Sequence, residues 1–155
     1  MHGYMEIERK FLVKEMPADL ESYPCRRIEQ GYLCTGPVVR VRADNDSWYL
    51  TYKGGGMMAR EEYNLPLNQE AYKHLLAKAD GNIISKKRYL IPLPPYTVEL
   101  DVFDGVWEGL VIAEIEFPDL VSAKAFVPPD WLGQDVTYDG RYHNSWLSMQ
   151  ERKKG

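Results

Sequence analysis

The chain has 155 residues, of which 45% are hydrophobic and 27% are charged, and its formal net charge is -4. This length and apolar content predict one globular domain with its own core, which we place at residues 5–150. The negative charge disfavours nonspecific binding to nucleic acid or anionic membranes. No apolar run is long enough for a membrane span or a signal peptide, so we expect a cytoplasmic protein. Cys25 and Cys34, the only cysteines, lack the spacing of a zinc site.

Alternating side chains predict seven strands, and the first is "MEIERKFLV" at residues 5–13. The others follow at 36–43, 47–53, 60–67, 84–93, 96–103 and 110–117. Helical patterning predicts one turn at 17–22, helices at 69–79 and 122–126, and a C-terminal helix after Asn144 that continues into the basic run at 151–155. The helices are too few to connect all the strands in parallel, so the sheet is predicted to be mainly antiparallel.

Each predicted strand can be divided by parity, because successive side chains point to opposite faces. In the first strand one face carries Glu6, Glu8 and Lys10. The same separation recurs along the chain, and the charged faces of the later strands carry Arg40, Arg42, Lys53, Glu62, Lys86, Arg88, Glu99, Asp101, Glu114 and Glu116. The opposite faces are mainly apolar, so one side of the sheet is predicted to be densely charged.

A solvated sheet face would explain alternating charges in general, but a solvated face tends to mix the two signs. Here several strands carry one sign only, as in Arg40-x-Arg42 and Glu114-x-Glu116. Like charges two residues apart cost stability unless a bound group neutralises them. Arg and Lys suit phosphate oxygens, and clustered carboxylates suit Mg²⁺ or Mn²⁺. The pattern therefore favours a metal-dependent site for a small polyphosphate, without a Gly-rich phosphate loop.

The order of these elements resembles the CYTH superfamily, the triphosphate tunnel metalloenzymes. The resemblance rests on Glu6-x-Glu8-x-Lys10, Arg40-x-Arg42, Lys86-x-Arg88, "VELDVF", "LVIAEIEF" and "DVTYDGRYHNSWL", and it covers nearly the whole chain. It implies a predominantly β fold: an eight-stranded antiparallel barrel that forms a tunnel with a charged interior, flanked by a few helices. The missing eighth strand is then expected at 27–33, where "RIEQGYL" alternates weakly.

The resemblance also implies roles for individual residues. Phosphates would be bound by Lys10, Arg40, Arg42, Lys53, Lys86, Arg88 and Arg141. The metal, Mg²⁺ or Mn²⁺, would be held by Glu6, Glu8 and Glu116, with Glu99 and Asp101 as further ligands. Lys10, Tyr32, Glu62 and Glu114 would act at the reaction centre, although a packing role suits Tyr32 equally well.

The implied reaction is hydrolysis of inorganic triphosphate to pyrophosphate and phosphate. Adenylate cyclase, thiamine triphosphatase and nucleoside triphosphatase activities occur on similar tunnels and stay open as alternatives. A polyphosphate-binding module without turnover is a further alternative, and a homodimer is compatible with the sequence.

Overall fold

A computed structural model describes residues 2–151, and the basic run at 152–155 lies outside the described residues. Its strands are β1 His2–Val13, β2 Cys25–Thr35, β3 Val38–Asp44, β4 Ser47–Lys53, β5 Ala59–Leu67, β6 Asp80–Leu93, β7 Tyr96–Phe103, β8 Val111–Glu116 and β9 Leu132–Asp135. Its helices are α1 Gln69–Leu76, α2 Leu120–Ala125 and α3 Asn144–Ser148. Single 3-10 turns lie at Leu20–Ser22, Gly105–Trp107 and Gly140–Tyr142.

The first eight strands close into an antiparallel barrel. Hydrogen bonding runs in the order β5-β4-β3-β2-β6-β7-β8-β1, and β1 also pairs with β5, which closes the ring. The strand expected at 27–33 is therefore present as β2, between β3 and β6. The short β9 adds to the C-terminal half of β1, where Phe11 pairs with Asp135 and Val13 with Leu132. Sequence patterning missed β9, because "LGQD" shows no alternation.

The charged faces point into the barrel and the apolar faces point outwards, as the resemblance implies. Phe11, Leu100 and Ile115 belong to a core outside the barrel wall, which partly buried Phe126 and Trp131 help to cover. Inside the barrel, one end is filled instead by a small apolar cluster of Ile84, Phe103, Ile112 and Leu147. The barrel interior is thus apolar at one end and charged elsewhere.

Helix α1 packs on the outside of β2, β3 and β4. The Asn68 side chain accepts a hydrogen bond from the Ala71 amide at 2.7 Å, which makes it the N-cap expected from the sequence. A Cβ on Gly31 would lie 2.7 Å from Ala79 Cβ and 2.8 Å from Leu76 Cδ1. Only glycine therefore allows the end of this helix to approach β2 so closely.

The C-terminal segment closes the apolar end of the barrel. Gly81 has φ +67°, and a Cβ there would collide with the Ser148 carbonyl oxygen. Trp107 Nε1 donates to the Leu147 carbonyl at 3.0 Å, and Asn82 Nδ2 donates to the Gln150 carbonyl at 2.5 Å. The last helix is shorter than expected, because it ends at Ser148 and Glu151 is irregular.

Candidate active site in the barrel interior

Two adjoining cavities occupy the charged part of the barrel. The inner one is about 30 Å³ and is closed by His143, Asn144 and Ser145; the outer one is about 310 Å³ and opens to solvent. Both are lined by Glu8, Lys53, Glu114 and three arginines, so the two cavities adjoin. Cations dominate the inner cavity: Lys10, Arg40, Arg42, Lys53, Arg60, Lys86 and Arg88. Carboxylates dominate the outer one: Glu6, Glu8, Asp44, Glu62, Glu99, Glu114 and Glu116.

Arg40 and Arg42 are buried side by side on β3 and hydrogen-bond to neutral groups only, although Glu62 lies near enough to Arg40 to favour its charged form. Arg40 donates to Thr51 Oγ1 at 3.2 Å, and its Nε has no partner among the described residues. Arg42 donates through Nε to Gln30 at 2.7 Å and through Nη1 to Tyr49 at 3.4 Å. Burial and the nearby Arg42 lower the pKa of Arg40. These two cations leave positive charge that an anion in the cavity would neutralise.

Lys10 and Lys53 are instead paired with carboxylates inside the barrel, whereas Arg60 donates to the Gly54 carbonyl at 3.2 Å. Lys10 lies opposite Glu114 and donates to it at 2.9 Å. Lys53 lies 2.9 Å from Glu6 and 3.3 Å from Glu62. Burial opposes ionisation of Glu114, but Lys10 and neighbouring cations hold its pKa well below its usual range. In spite of burial, Glu114 in turn raises the pKa of Lys10, so this pair is charged at neutral pH.

Asp101 is fully buried behind the cavity wall, between Arg88 and Lys86. Arg88 Nε and Nη2 contact its two oxygens at 2.7 and 2.9 Å, and Lys86 Nζ lies 2.7 Å from one of them. Burial raises the pKa of a carboxyl, but these two cations outweigh that effect and lower the pKa of Asp101. Burial lowers the pKa of Lys86 to about 7 in spite of Asp101.

In the outer cavity, several carboxylates face each other with too few cations nearby to compensate their negative charge. Glu8 and Glu116 are directly opposite on β1 and β8. Burial, Glu114 and Glu6 raise the pKa of Glu8 to about 8. Burial, Glu6 and Glu99 raise the pKa of Glu116 to about 7, although its side chain lies at the exposed rim. Such crowding favours either protonation or a bound cation.

The donor chemistry of the outer cavity fits a hard divalent ion, which prefers carboxylate oxygens. Among residues 2–151, however, no three potential ligands are already close enough to hold one. The carboxylate side chains of Glu6, Glu8 and Glu116 would have to converge on an ion. Their chemistry fits such an ion, since Glu8 and Glu116 have raised pKa values and line the same outer cavity as Glu6.

Most residues expected in the site do line the two cavities. They are Glu6, Glu8, Lys10, Tyr32, Arg40, Arg42, Lys53, Glu62, Lys86, Arg88, Glu99, Glu114 and Glu116. Two lie elsewhere. Arg141 points to solvent with its side chain 69% exposed, because Asp139 holds it through contacts of 2.6 and 2.9 Å. Asp101 has both oxygens occupied by Arg88 and Lys86, so it serves as their counterion in this arrangement.

Several residues that line or support the cavities were not predicted from the sequence. Asn144 was quoted only as part of the resemblance, and it lies in the inner cavity with His143. Gln30 is fully buried between Arg42 and Asn144, and Arg26 lines the outer mouth. The sequence could have identified Gln30, because it is an uncharged polar residue with the same parity as Tyr32 on β2, and side chains of that parity are buried in the barrel. The position of Asn144 depends on tertiary packing and has no local signal.

The fold and the site together define a closed antiparallel barrel that encloses adjoining cationic and carboxylate regions. Comparison with known proteins agrees. The CYTH domain family matches residues 5–137. The chain is similar to an inorganic triphosphatase from Nitrosomonas europaea, with 38% identity over 149 residues that cover 93% of this chain and 97% of the relative. It is also similar to an inorganic triphosphatase from Acetivibrio thermocellus, with 41% identity and 92% of each chain covered.

Solved structures show the same architecture. A crystal structure of an inorganic triphosphatase superposes with a TM-score of 0.72 at 34% identity and covers 96% of this chain and 97% of its own. A protein from Pyrococcus horikoshii superposes with a TM-score of 0.57 at 20% identity over 94% and 92% of the two chains, which shows likeness of fold alone. The chain belongs to the CYTH domain family. Within residues 2–151, none of the helices has the length and apolarity of a membrane span.

Proposed function

We propose that this protein hydrolyses inorganic triphosphate to pyrophosphate and phosphate inside the barrel, with the help of a divalent cation. The observation that carries the proposal is the pair Arg40 and Arg42, two buried guanidinium groups whose hydrogen-bond partners are all neutral. A buried cation without a counterion costs free energy, and a bound polyanion would remove that cost. The curated relatives named inorganic triphosphatase support the choice of this anion.

The inner cavity would bind the phosphates through its cations. Arg40 and Arg42 would supply guanidinium donors, and Lys86 and Arg88 would add charge from the neighbouring wall. In phosphoryl transfer most of the rate acceleration comes from positioning and from neutralising charge on the phosphoryl oxygens. Preformed cations that are shielded from water suit this task, because they do not have to reorganise during the reaction.

Family membership implies a divalent metal, and we propose Mg²⁺ or Mn²⁺ held by Glu6, Glu8 and Glu116, with Glu99 beside them. When bound, such an ion would neutralise phosphate charge and lower the pKa of a coordinated water. Because this end is acidic and the inner end is basic, a polyphosphate with a metal on one side would match both regions. We do not include Asp101 among the ligands, since its oxygens are already engaged.

At the reaction centre we propose Lys10, Tyr32, Glu62 and Glu114. Lys10 is held in place by Glu114 at 2.9 Å, so its ammonium group would contact a phosphate from a fixed position. Tyr32 is 3% exposed and lines the inner cavity, where its hydroxyl could donate to a phosphate oxygen. Glu62 and Glu114 are held ionised by Lys53 and Lys10 respectively, and ionised carboxylates can orient an attacking water by accepting its hydrogen bonds.

The test is a panel that measures phosphate release from triphosphate, pyrophosphate, ATP and thiamine triphosphate with Mg²⁺ or Mn²⁺, and cyclic AMP formation from ATP in parallel. We expect triphosphate to give the highest kcat/KM. Arg40→Met should lower it roughly a hundredfold or more, as loss of a charge-stabilising donor does. Arg27→Met is the matched control, because Arg27 is a 63% exposed arginine on the outer surface. Binding of triphosphate without turnover under all these conditions would instead identify a polyphosphate-binding module.

A further inference from the structure

Two buried neutral side chains connect cations of the inner cavity that lie on β3 and β6, the two strands that flank β2. Arg42 Nε donates to Gln30 Oε1 at 2.7 Å, and Gln30 Nε2 donates to Asn144 Oδ1 at 3.1 Å. Lys86 Nζ donates to the same Asn144 oxygen at 2.9 Å. Gln30 is 0% exposed and Asn144 8% exposed. A continuous hydrogen-bonded chain therefore runs from β3 through β2 and α3 to β6.

The neutrality of these partners matters for an anion site. Arg88 is fixed by Asp101, whose carboxylate also neutralises much of its charge. Gln30 fixes the direction of Arg42 with an amide oxygen, which accepts the hydrogen bond but carries no net charge. Arg42 is thus oriented while its charge stays available to a ligand. Preorganised donors of this kind stabilise a transition state without reorganisation cost.

We propose that Gln30, supported by Asn144, is a positioning residue that aims Arg42 and Lys86 at the phosphates. The proposal rests on the proposed function, since it assumes that these cations bind the reacting anion. It also gives the C-terminal helix a part in the site, because Asn144 is the first residue of α3 and joins the two cations. Neither Gln30 nor Asn144 has to touch the reacting atoms.

The test is a double-mutant cycle between Gln30 and Arg42. Gln30→Met keeps the approximate volume and removes all three hydrogen bonds of the side chain, which join it to Arg42, Asn144 and, at 3.5 Å, the Tyr32 hydroxyl. Losing a hydrogen bond to a charged group should lower kcat for triphosphate by roughly 10- to 100-fold, with a smaller change in KM. In an Arg42→Lys background, where the Nε donor is absent, the same substitution should lower kcat by a clearly smaller factor, because only the links to Asn144 and Tyr32 are left to lose. An equal loss in both backgrounds, or no loss in either, would overturn the proposal.

Ile28→Val provides the matched control, because Ile28 is equally buried on β2, two residues away and on the same inward face. It should lower the melting temperature and leave kcat unchanged, whereas a loss of kcat as large as that of Gln30→Met would assign the effect to packing. Gln30→Glu retains the acceptor for Arg42 but adds a negative charge beside it, so Arg42 should stay anchored while kcat remains low and KM for triphosphate rises. Wild-type kinetics in Gln30→Glu would count against the need for a neutral partner.

A readout without turnover separates this proposal from the proposed function. The Arg42 Nε–H group should give a slowly exchanging NMR signal in the wild type, which disappears in Gln30→Met and is assigned through its absence in Arg42→Lys. If the wild type neither binds nor hydrolyses triphosphate, the proposed function fails, and a protected signal would still support the anchoring of Arg42 by Gln30. A signal that exchanges rapidly in the wild type would overturn the anchoring itself.

Discussion

Replacing Arg40 by Met should stabilise the ligand-free protein while removing most of its activity. Arg40 is 5% exposed, its one hydrogen bond goes to Thr51, and its Nε lacks a partner among the described residues. Methionine can fill much of the same space without a charge. A residue selected for binding an anion is expected to cost stability in this way when the anion is absent.

The size of the effect follows from the missing partners. A buried polar group without a hydrogen bond costs about 1–3 kcal/mol, and a charged group costs more. We therefore expect the unfolding free energy of Arg40→Met to exceed that of the wild type by about 1–3 kcal/mol. For a chain of this size that corresponds to a rise in melting temperature of roughly 2–12 °C. Chemical and thermal unfolding, followed by circular dichroism without metal or phosphate, would measure it.

Arg88→Met is the matched comparison, because Arg88 is a buried arginine of the same cavity that is paired with Asp101. Its removal leaves a buried carboxylate with less compensation, which typically costs about 3–5 kcal/mol. Both variants should lose activity, but their stabilities should change in opposite directions. If Arg40→Met is destabilised as strongly as Arg88→Met, Arg40 has a counterion in solution and the reasoning is refuted.

Four further outcomes are expected. A chelator should abolish turnover and added Mg²⁺ or Mn²⁺ should restore it; full turnover in chelator would exclude a role for the metal. Glu116→Gln should raise the metal concentration needed for half-maximal activity. Burial and Lys10 lower the pKa of His143 to about 4, so the unfolded state takes up a proton before the folded state does, and the unfolding free energy of the wild type should decline as pH falls from about 6.5 to 4. The unfolding free energy of His143→Gln should decline less in that window, and parallel curves would contradict this. Gly81→Ala should displace α3, because the added Cβ would collide with the Ser148 carbonyl oxygen. Hydrogen exchange of the α3 amides should then speed up, and unchanged exchange would mean that α3 does not pack against Gly81. Arg141→Ala should leave kcat/KM unchanged, and a large loss would return Arg141 to the site.

The strands and their faces could be predicted from the sequence, because successive side chains of a strand point to opposite faces and charged and apolar residues alternate accordingly. Glu6, Glu8 and Lys10 share one parity, and their inward direction follows once the barrel is closed. The weak strand β2 was harder, since Arg27 and Glu29 stand on its outer face while Ile28 and Gln30 are buried inside. Charged residues outside and Ile28 inside are the opposite of the arrangement in the other strands of this barrel, so the alternation of β2 did not match theirs.

What could not be predicted depends on register and on tertiary contacts. The sequence shows strands of one sign, but it does not show that Lys10 lies opposite Glu114 or that Arg88 lies opposite Asp101. The sequence led us to expect Asp101 as a metal ligand, and its contacts with Arg88 and Lys86 became visible only in the structure. Arg141 was expected in the tunnel, and a local contact with Asp139 holds it at the surface.

The most direct test of the account is the thermal unfolding of the wild type and Arg40→Met with triphosphate and Mg²⁺, against sulfate at equal ionic strength. A ligand that binds only the folded state stabilises it by about 2.7 kcal/mol at a hundredfold excess over its dissociation constant. The wild type should therefore melt roughly 5–11 °C higher with triphosphate and Mg²⁺. The shift should be much smaller in Arg40→Met. A wild-type shift no larger than that produced by sulfate, or an undiminished shift in Arg40→Met, would contradict binding inside the barrel.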